Sequence, residues 1–119
     1  MIRIPASIFV ASAPVDLRLS FDRLGGIVRT ALGREPQGDV AFVFHNRACT
    51  HVKILWHDGG GYCVLYKRLD RRTFRLPMVV PADAASVTID ARELALLFQG
   101  IDTALLRRAR RIARANDPT

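Results

Sequence analysis

The chain is poor in the residues that build metal centres, disulfide frameworks and membrane spans. It has two cysteines, Cys49 and Cys63, and three histidines, His45, His51 and His57, with no CxxC, HxxxH or HExxH spacing among them. His51 and His57 fall an even number apart and can share a strand face, but six strand residues separate them by about 20 Å, too far for one ion. The expectation is reduced thiols, no metal and no cofactor. Long apolar runs are also missing: Arg3 and Pro5 interrupt the first ten residues, which excludes a signal or spanning helix there. A soluble cytoplasmic protein is expected, with nucleoid association left open and no membrane partner. The glycine run Asp58-Gly59-Gly60-Gly61 lacks the following helix and the Lys-Ser/Thr of a phosphate-binding loop, so it reads as a hairpin turn.

Acidic residues are scarce as well. Eleven Asp and Glu face 18 Lys and Arg in 119 residues, for a net charge of +7. The excess is patterned. Arg107, Arg108, Arg110, Arg111 and Arg114 form a run with no acid between them, and Lys67, Arg68, Arg71, Arg72 and Arg75 form a second concentration relieved only by Asp70. Five like charges on one short segment repel each other unless an anion relieves them, so the pattern suits a polyanion-binding surface, although a solvated helix face is the bland alternative. Arg107, Arg111 and Arg114 recur along one helical stripe that can follow a phosphate backbone without reading bases.

The length fits one domain. Ile8-Phe9-Val10 reads as a strand at a sheet edge. Phe21, Leu24, Ile27, Val28, Ala31 and Leu32 recur at helical spacing, with Ser20 as N-cap and Gly33 as left-handed terminator. Gly25-Gly26 inside that helix suggests close approach to the sheet. Val40 to Pro77 follows as strands joined by tight turns. In His51–His57, Val52, Ile54 and Trp56 alternate with Lys53 and the two histidines, and Asp58-Gly59-Gly60 can turn the chain into Tyr62–Leu69. Ser86 to Ile89 is a last short strand. Asp90-Ala91-Arg92-Glu93 has capping-box spacing before the apolar stripe Leu94, Leu97 and Phe98. Asp102 can cap a final helix on which Leu105, Leu106, Ala109, Ile112 and Ala113 oppose the arginines. The expected fold is α+β: a single domain over 1–104 with an antiparallel β-meander, one N-terminal helix packed on it and two C-terminal helices, the last arginine-rich and continuing as a basic helix and tail over 105–119.

The string Lys53-Ile54-Leu55-Trp56-His57-Asp58-Gly59, with Gly61-Tyr62, Lys67-Arg68-Leu69, Phe74 and Pro77, resembles the TnpB-type accessory protein of bacterial insertion sequences of family sixty-six. Three further segments resemble it in the same order. They are Pro14–Arg18 with Ser20-Phe21-Asp22 and Leu24, Phe42-Val43-Phe44 with Asn46-Arg47, and Glu93–Leu97 with Gly100-Ile101-Asp102. The chain departs from the family's pattern at Cys49-Thr50-His51 and at Arg72. The resemblance implies a role in transposition beside a separate transposase, and it brings no catalytic residue set.

Side-chain chemistry points the same way. Asp16 and Asp22 are paired carboxylates, but Arg18 and Arg23 sit beside them, so capping and ion pairing account for both. No catalytic residue is expected. Alternation assigns most of Trp56, Tyr62, Tyr66 and Phe74 to the face of Val52, Ile54 and Val64, hence to the core; exposure beside Lys53 and Lys67 would favour stacking on single strands instead. The leading expectation is a non-enzymatic accessory factor that binds DNA, at element ends or as nonspecific duplex, through Arg107, Arg108, Arg110, Arg111 and Arg114, helped by Lys67, Arg68, Arg71 and Arg72. The alternative is an adaptor that docks on the transposase or other proteins of its element, through the helix around Leu94, Leu97 and Phe98 or through an exposed sheet edge.

Overall fold

The computed structural model describes residues 4–71, 73–74 and 84–99. Within them the order is β1 (Ser7–Ala11), α1 (Phe21–Thr30), β2 (Val40–His45), β3 (His51–His57), β4 (Tyr62–Arg68), β5 (Ser86–Ile89) and α2 (Ala91–Phe98). The strands form one sheet in the order β4-β3-β2-β1-β5. The class is α+β, and β2-β3-β4 is the expected antiparallel meander. The sheet as a whole is mixed, because β1 pairs parallel to β2 and antiparallel to β5. β1 is therefore an interior strand, not the edge strand expected. Both of its faces are apolar: Ile8 and Val10 are buried on one side, while Ala11 and the partly buried Phe9 pack on the other.

Two cores result, one on each face. Leu24 and Val28 of α1 pack with Leu17, Phe42, Phe44 and Leu55, with Tyr62 and Val64 at the margin. Leu94 and Leu97 of α2 pack with Ile8, Val43, Val52, Ile54, Trp56 and Phe74 on the other face. Burial declines across the sheet from β2, where five of six residues are buried, to β4, where none is.

The turn chemistry follows the sequence closely. Gly59 adopts φ 95°, and the Asp58 carboxylate accepts from the amides of Gly60 and Gly61 at 2.9 and 3.0 Å, closing the β3–β4 hairpin. Between β2 and β3 the Asn46 side chain accepts from the Thr50 and His51 amides at 2.9 and 3.0 Å, while Cys49 takes φ 55°. At α2 both arms of the capping box form: Asp90 Oδ1 accepts from the Glu93 amide at 2.7 Å, and Glu93 Oε1 accepts from the Asp90 amide at 3.3 Å. Ser20 occupies the N-cap position of α1, but its side chain makes no capping bond. Gly33 turns at φ 64°, and the Arg34 amide then reaches the Val28 carbonyl at 3.0 Å. The arginine-rich last helix, the Gly100 terminator and the Asp102 cap lie outside the described residues.

Gly25 and Gly26 differ from expectation. A Cβ on Gly25 would meet Pro36 and the Tyr62 hydroxyl at 3.8 to 3.9 Å, ordinary contact, and one on Gly26 would meet nothing within 4 Å. Neither glycine is needed for close approach to the sheet. Gly26→Ala is therefore expected to stabilise the protein by about 0.5–1 kcal/mol through lower backbone entropy of the unfolded chain. Urea denaturation checks this, and a lower midpoint would show that the glycine serves the helix in another way.

Candidate nucleic-acid interface

The basic residues divide into those that hold the fold together and those that face outward. Lys67, on β4, extends its ammonium to the carbonyl of Phe98 at 2.7 Å and lies 5.5 Å from the centre of that ring. Phe98 is the last residue of α2, so the lysine sits at the negative end of the helix dipole and satisfies a carbonyl left open by the helix end. Phe74 packs edge-on against Phe98 with ring centres 6.2 Å apart. Arg68 and Arg71 are exposed, and neither forms a hydrogen bond or ion pair with another described residue. Arg72, Arg107, Arg108, Arg110, Arg111 and Arg114 lie outside the described residues.

A second set of cations lies on the α1 face of the hairpin. Lys53 donates to the Leu19 carbonyl at 2.9 Å and stands 5.2 Å from the ring centre of Tyr66, its direct partner on β4. The register pairs His57 with Tyr62, Leu55 with Val64 and Lys53 with Tyr66. The two tyrosines therefore lie opposite the face of Val52, Ile54 and Trp56, which corrects the sequence reading. Tyr62 is sheltered beside α1, whereas Tyr66 is 51% exposed. Trp56 and Phe74 are core residues as expected.

The remaining polar groups are occupied locally. His45 is buried, with Nε2 at 2.9 Å from the Ala11 carbonyl, which ties the ends of β1 and β2. His51 meets Thr50 and Asn46, and His57 Nδ1 accepts from the Gly59 amide at 3.1 Å. Among the described residues no three His, Cys, Asp or Glu side chains are grouped to hold a metal. Burial raises the pKa of the Cys49 thiol; Cys63 is raised chiefly by desolvation and further by the Asp58 carboxylate, so both thiols stay protonated at neutral pH. The Arg18 guanidinium grips Asp16 through both carboxylate oxygens at 2.9 to 3.2 Å and, with the Arg18 amide, lowers the Asp16 pKa to about 2. Such a carboxylate is a poor proton acceptor at neutral pH. No helix among the described residues is long and apolar enough to cross a membrane.

Among the described residues the fold is thus one mixed five-stranded sheet with a helix on each face. A sequence model of the family described as "IS66 Orf2 like protein" matches residues 6–108, and the chain belongs to that family. Two similar proteins of Sinorhizobium fredii, the uncharacterized proteins y4hO and y4jC, are 34% and 30% identical to it. The first alignment covers 80% of both chains, the second 85% of this chain and 84% of the relative. No solved structure matches.

Two predictions follow from these contacts. Lys67→Met is expected to cost about 1–2 kcal/mol in urea denaturation, whereas Arg68→Gln should stay within about 0.5 kcal/mol; equal effects would deny Lys67 its role at the α2 terminus. For Asp16 the folded pKa lies below the unfolded one, so its stabilising contribution is complete above the unfolded value of 3.8 and is lost as pH falls through about 2. Removing the guanidinium in Arg18→Ala should raise the Asp16 pKa towards the ordinary carboxylate range, with the amide of residue 18 still holding it somewhat below, read by carboxyl-carbon NMR titration.

Proposed function

We propose that this protein is a non-catalytic accessory factor for DNA transposition. It binds DNA at the ends of its element through Arg107, Arg108, Arg110, Arg111 and Arg114, with Arg68, Arg71 and Arg72 as auxiliary contacts. Lys67 serves this surface indirectly, by holding the end of α2. The observation that carries the reading is the clustering of a net charge of +7 into two groups, which the family's link to insertion sequences turns towards DNA. The outward Arg68 and Arg71 support it further, since they extend from the same end of β4 that Lys67 joins to the end of α2. Guanidinium groups suit phosphate oxygens, which they meet with paired donors.

One observation favours the adaptor reading as well. Leu65 is 42% exposed on β4, and no strand lies beyond β4 among the described residues, so a transposase segment has a sheet edge on which to pair. Of the helix side chains named for that role, Leu94 and Leu97 are buried in the core and Phe98 is partly buried.

Fluorescence anisotropy against duplex from the element's terminal repeats and scrambled duplex, over a salt series, separates the two readings. DNA recognition by the tail predicts an end preference that survives salt. Each phosphate contact contributes about −0.9 to the log–log salt slope, so replacing the five tail arginines with Gln should flatten it by about 4–5. Unchanged affinity in that variant, with transposase capture intact, would move the function to the protein partner.

A further inference from the structure

Tyr66 is an aromatic residue that the fold leaves uncovered. Tyr62 and Val64, on the same face of β4, pack against the α1 core, but that cover does not extend to Tyr66. Its two ring contacts both come from β3: the Lys53 ammonium at 5.2 Å and the His51 ring at 5.8 Å, tilted by 36°. On the other side of β4 no strand lies among the described residues, so the ring has an outer side free for a planar ligand. Arg68 is exposed on the same face, directly opposite His51. Lys53 carries the stripe the other way. One of its three donors holds the Leu19 carbonyl, and Leu19 borders an open groove of about 480 Å³ that Arg18, Ser20, Asp22 and Arg23 also line.

We infer that this face is a stacking platform for single-stranded DNA, with Tyr66 receiving an unpaired base and Arg68, Lys53 and Arg23 following the phosphates on either side. The inference rests on the DNA-binding reading above and adds to it a second surface with a different ligand preference. The argument is one of complementarity. An exposed aromatic flanked by cations matches a strand that alternates flat apolar bases with anions, and the stacking is tolerant of sequence because every base has such a face. Duplex DNA offers its phosphates but keeps its base faces stacked internally, so it can use the cations and not the ring. Lys53 is fixed by Leu19 and His51 by Thr50 and Asn46, which presents the ring against a preformed support rather than a mobile one.

The test compares binding of full-length protein to a fluorescent oligothymidylate of about 20 nucleotides and to a hairpin duplex at one ionic strength, with far-UV circular dichroism confirming the fold. Tyr66→Ala is expected to weaken single-strand binding about tenfold and to alter duplex binding less than about twofold, while Tyr66→Phe keeps both near wild type. Tyr66→Leu, which retains bulk and strand preference, serves if the alanine variant is unstable and should lose single-strand affinity alike. Ala95→Ser, at an exposed position of α2 on the opposite face of the sheet, should leave it unchanged. Wild-type single-strand affinity in a folded Tyr66→Ala or Tyr66→Leu protein, or equal losses on both ligands, overturns the platform while leaving the tail-mediated reading intact. Failure of the wild-type protein to bind either ligand overturns both.

Discussion

The parallel pairing of β1 with β2 is the constraint on which the architecture depends. Parallel neighbours cannot be joined by a tight turn, so the chain between Ala11 and Val40 must cross from one end of the sheet to the other, and α1 is built into that crossover. Because β1 and β2 are apolar on both faces, one helix is not enough. Leu24 and Val28 cover one side, and Leu94 and Leu97 must return from far along the sequence to cover the other. Only β4 extends the sheet beyond this double cover, which is why Leu65 and Tyr66 are exposed while their neighbours on β2 and β3 are not.

Local signals are legible in the sequence, and long-range ones less so. The β2–β4 strands, the Asp58 turn, β5 and the α2 capping box each carry their information within a few residues. The place of β1 does not: Ile8-Phe9-Val10 looks alike as an edge or a centre until its partners are known, and those partners are distant in sequence. The face of Tyr66 was misassigned for a related reason. Alternation within a strand is legible, but which face matches which across a hairpin depends on register, and a shift of one residue exchanges the faces. Here the loop pairs His57 with Tyr62, and this decides that Tyr66 meets Lys53. The Gly25-Gly26 pair misled because its natural explanation, steric closeness, is not realised at either position. The tail arginines, the largest part of the candidate site, rest on charge pattern and family resemblance and lie outside the described residues.

The lysines and arginines divide their work in a way composition does not disclose. Lys53 and Lys67 both turn their ammonium groups onto backbone carbonyls, Leu19 and Phe98, and so tie the open end of the hairpin, one face each, to segments outside it. Arg68 and Arg71 make no such attachment among the described residues. A compact ammonium suits a single carbonyl, and a planar fork suits paired oxygens. Net charge therefore overstates the cations wholly free for a ligand, since Lys67 is committed to the end of α2 and Lys53 gives one of its donors to Leu19.

The position of β1 between β2 and β5 also bears on how the protein is made. Its residues leave the ribosome early, and α1 and the meander can begin to assemble on one side of it. The other side waits for Ser86–Ile89, synthesised near the end of the described chain. Until then Ile8 and Val10 offer unpaired backbone to any passing strand, and the face that Leu94 and Leu97 will close stays wet. The nascent chain is thus committed to its topology long before it is protected by it, and the short β5–α2 unit acts as the latch that ends its exposure.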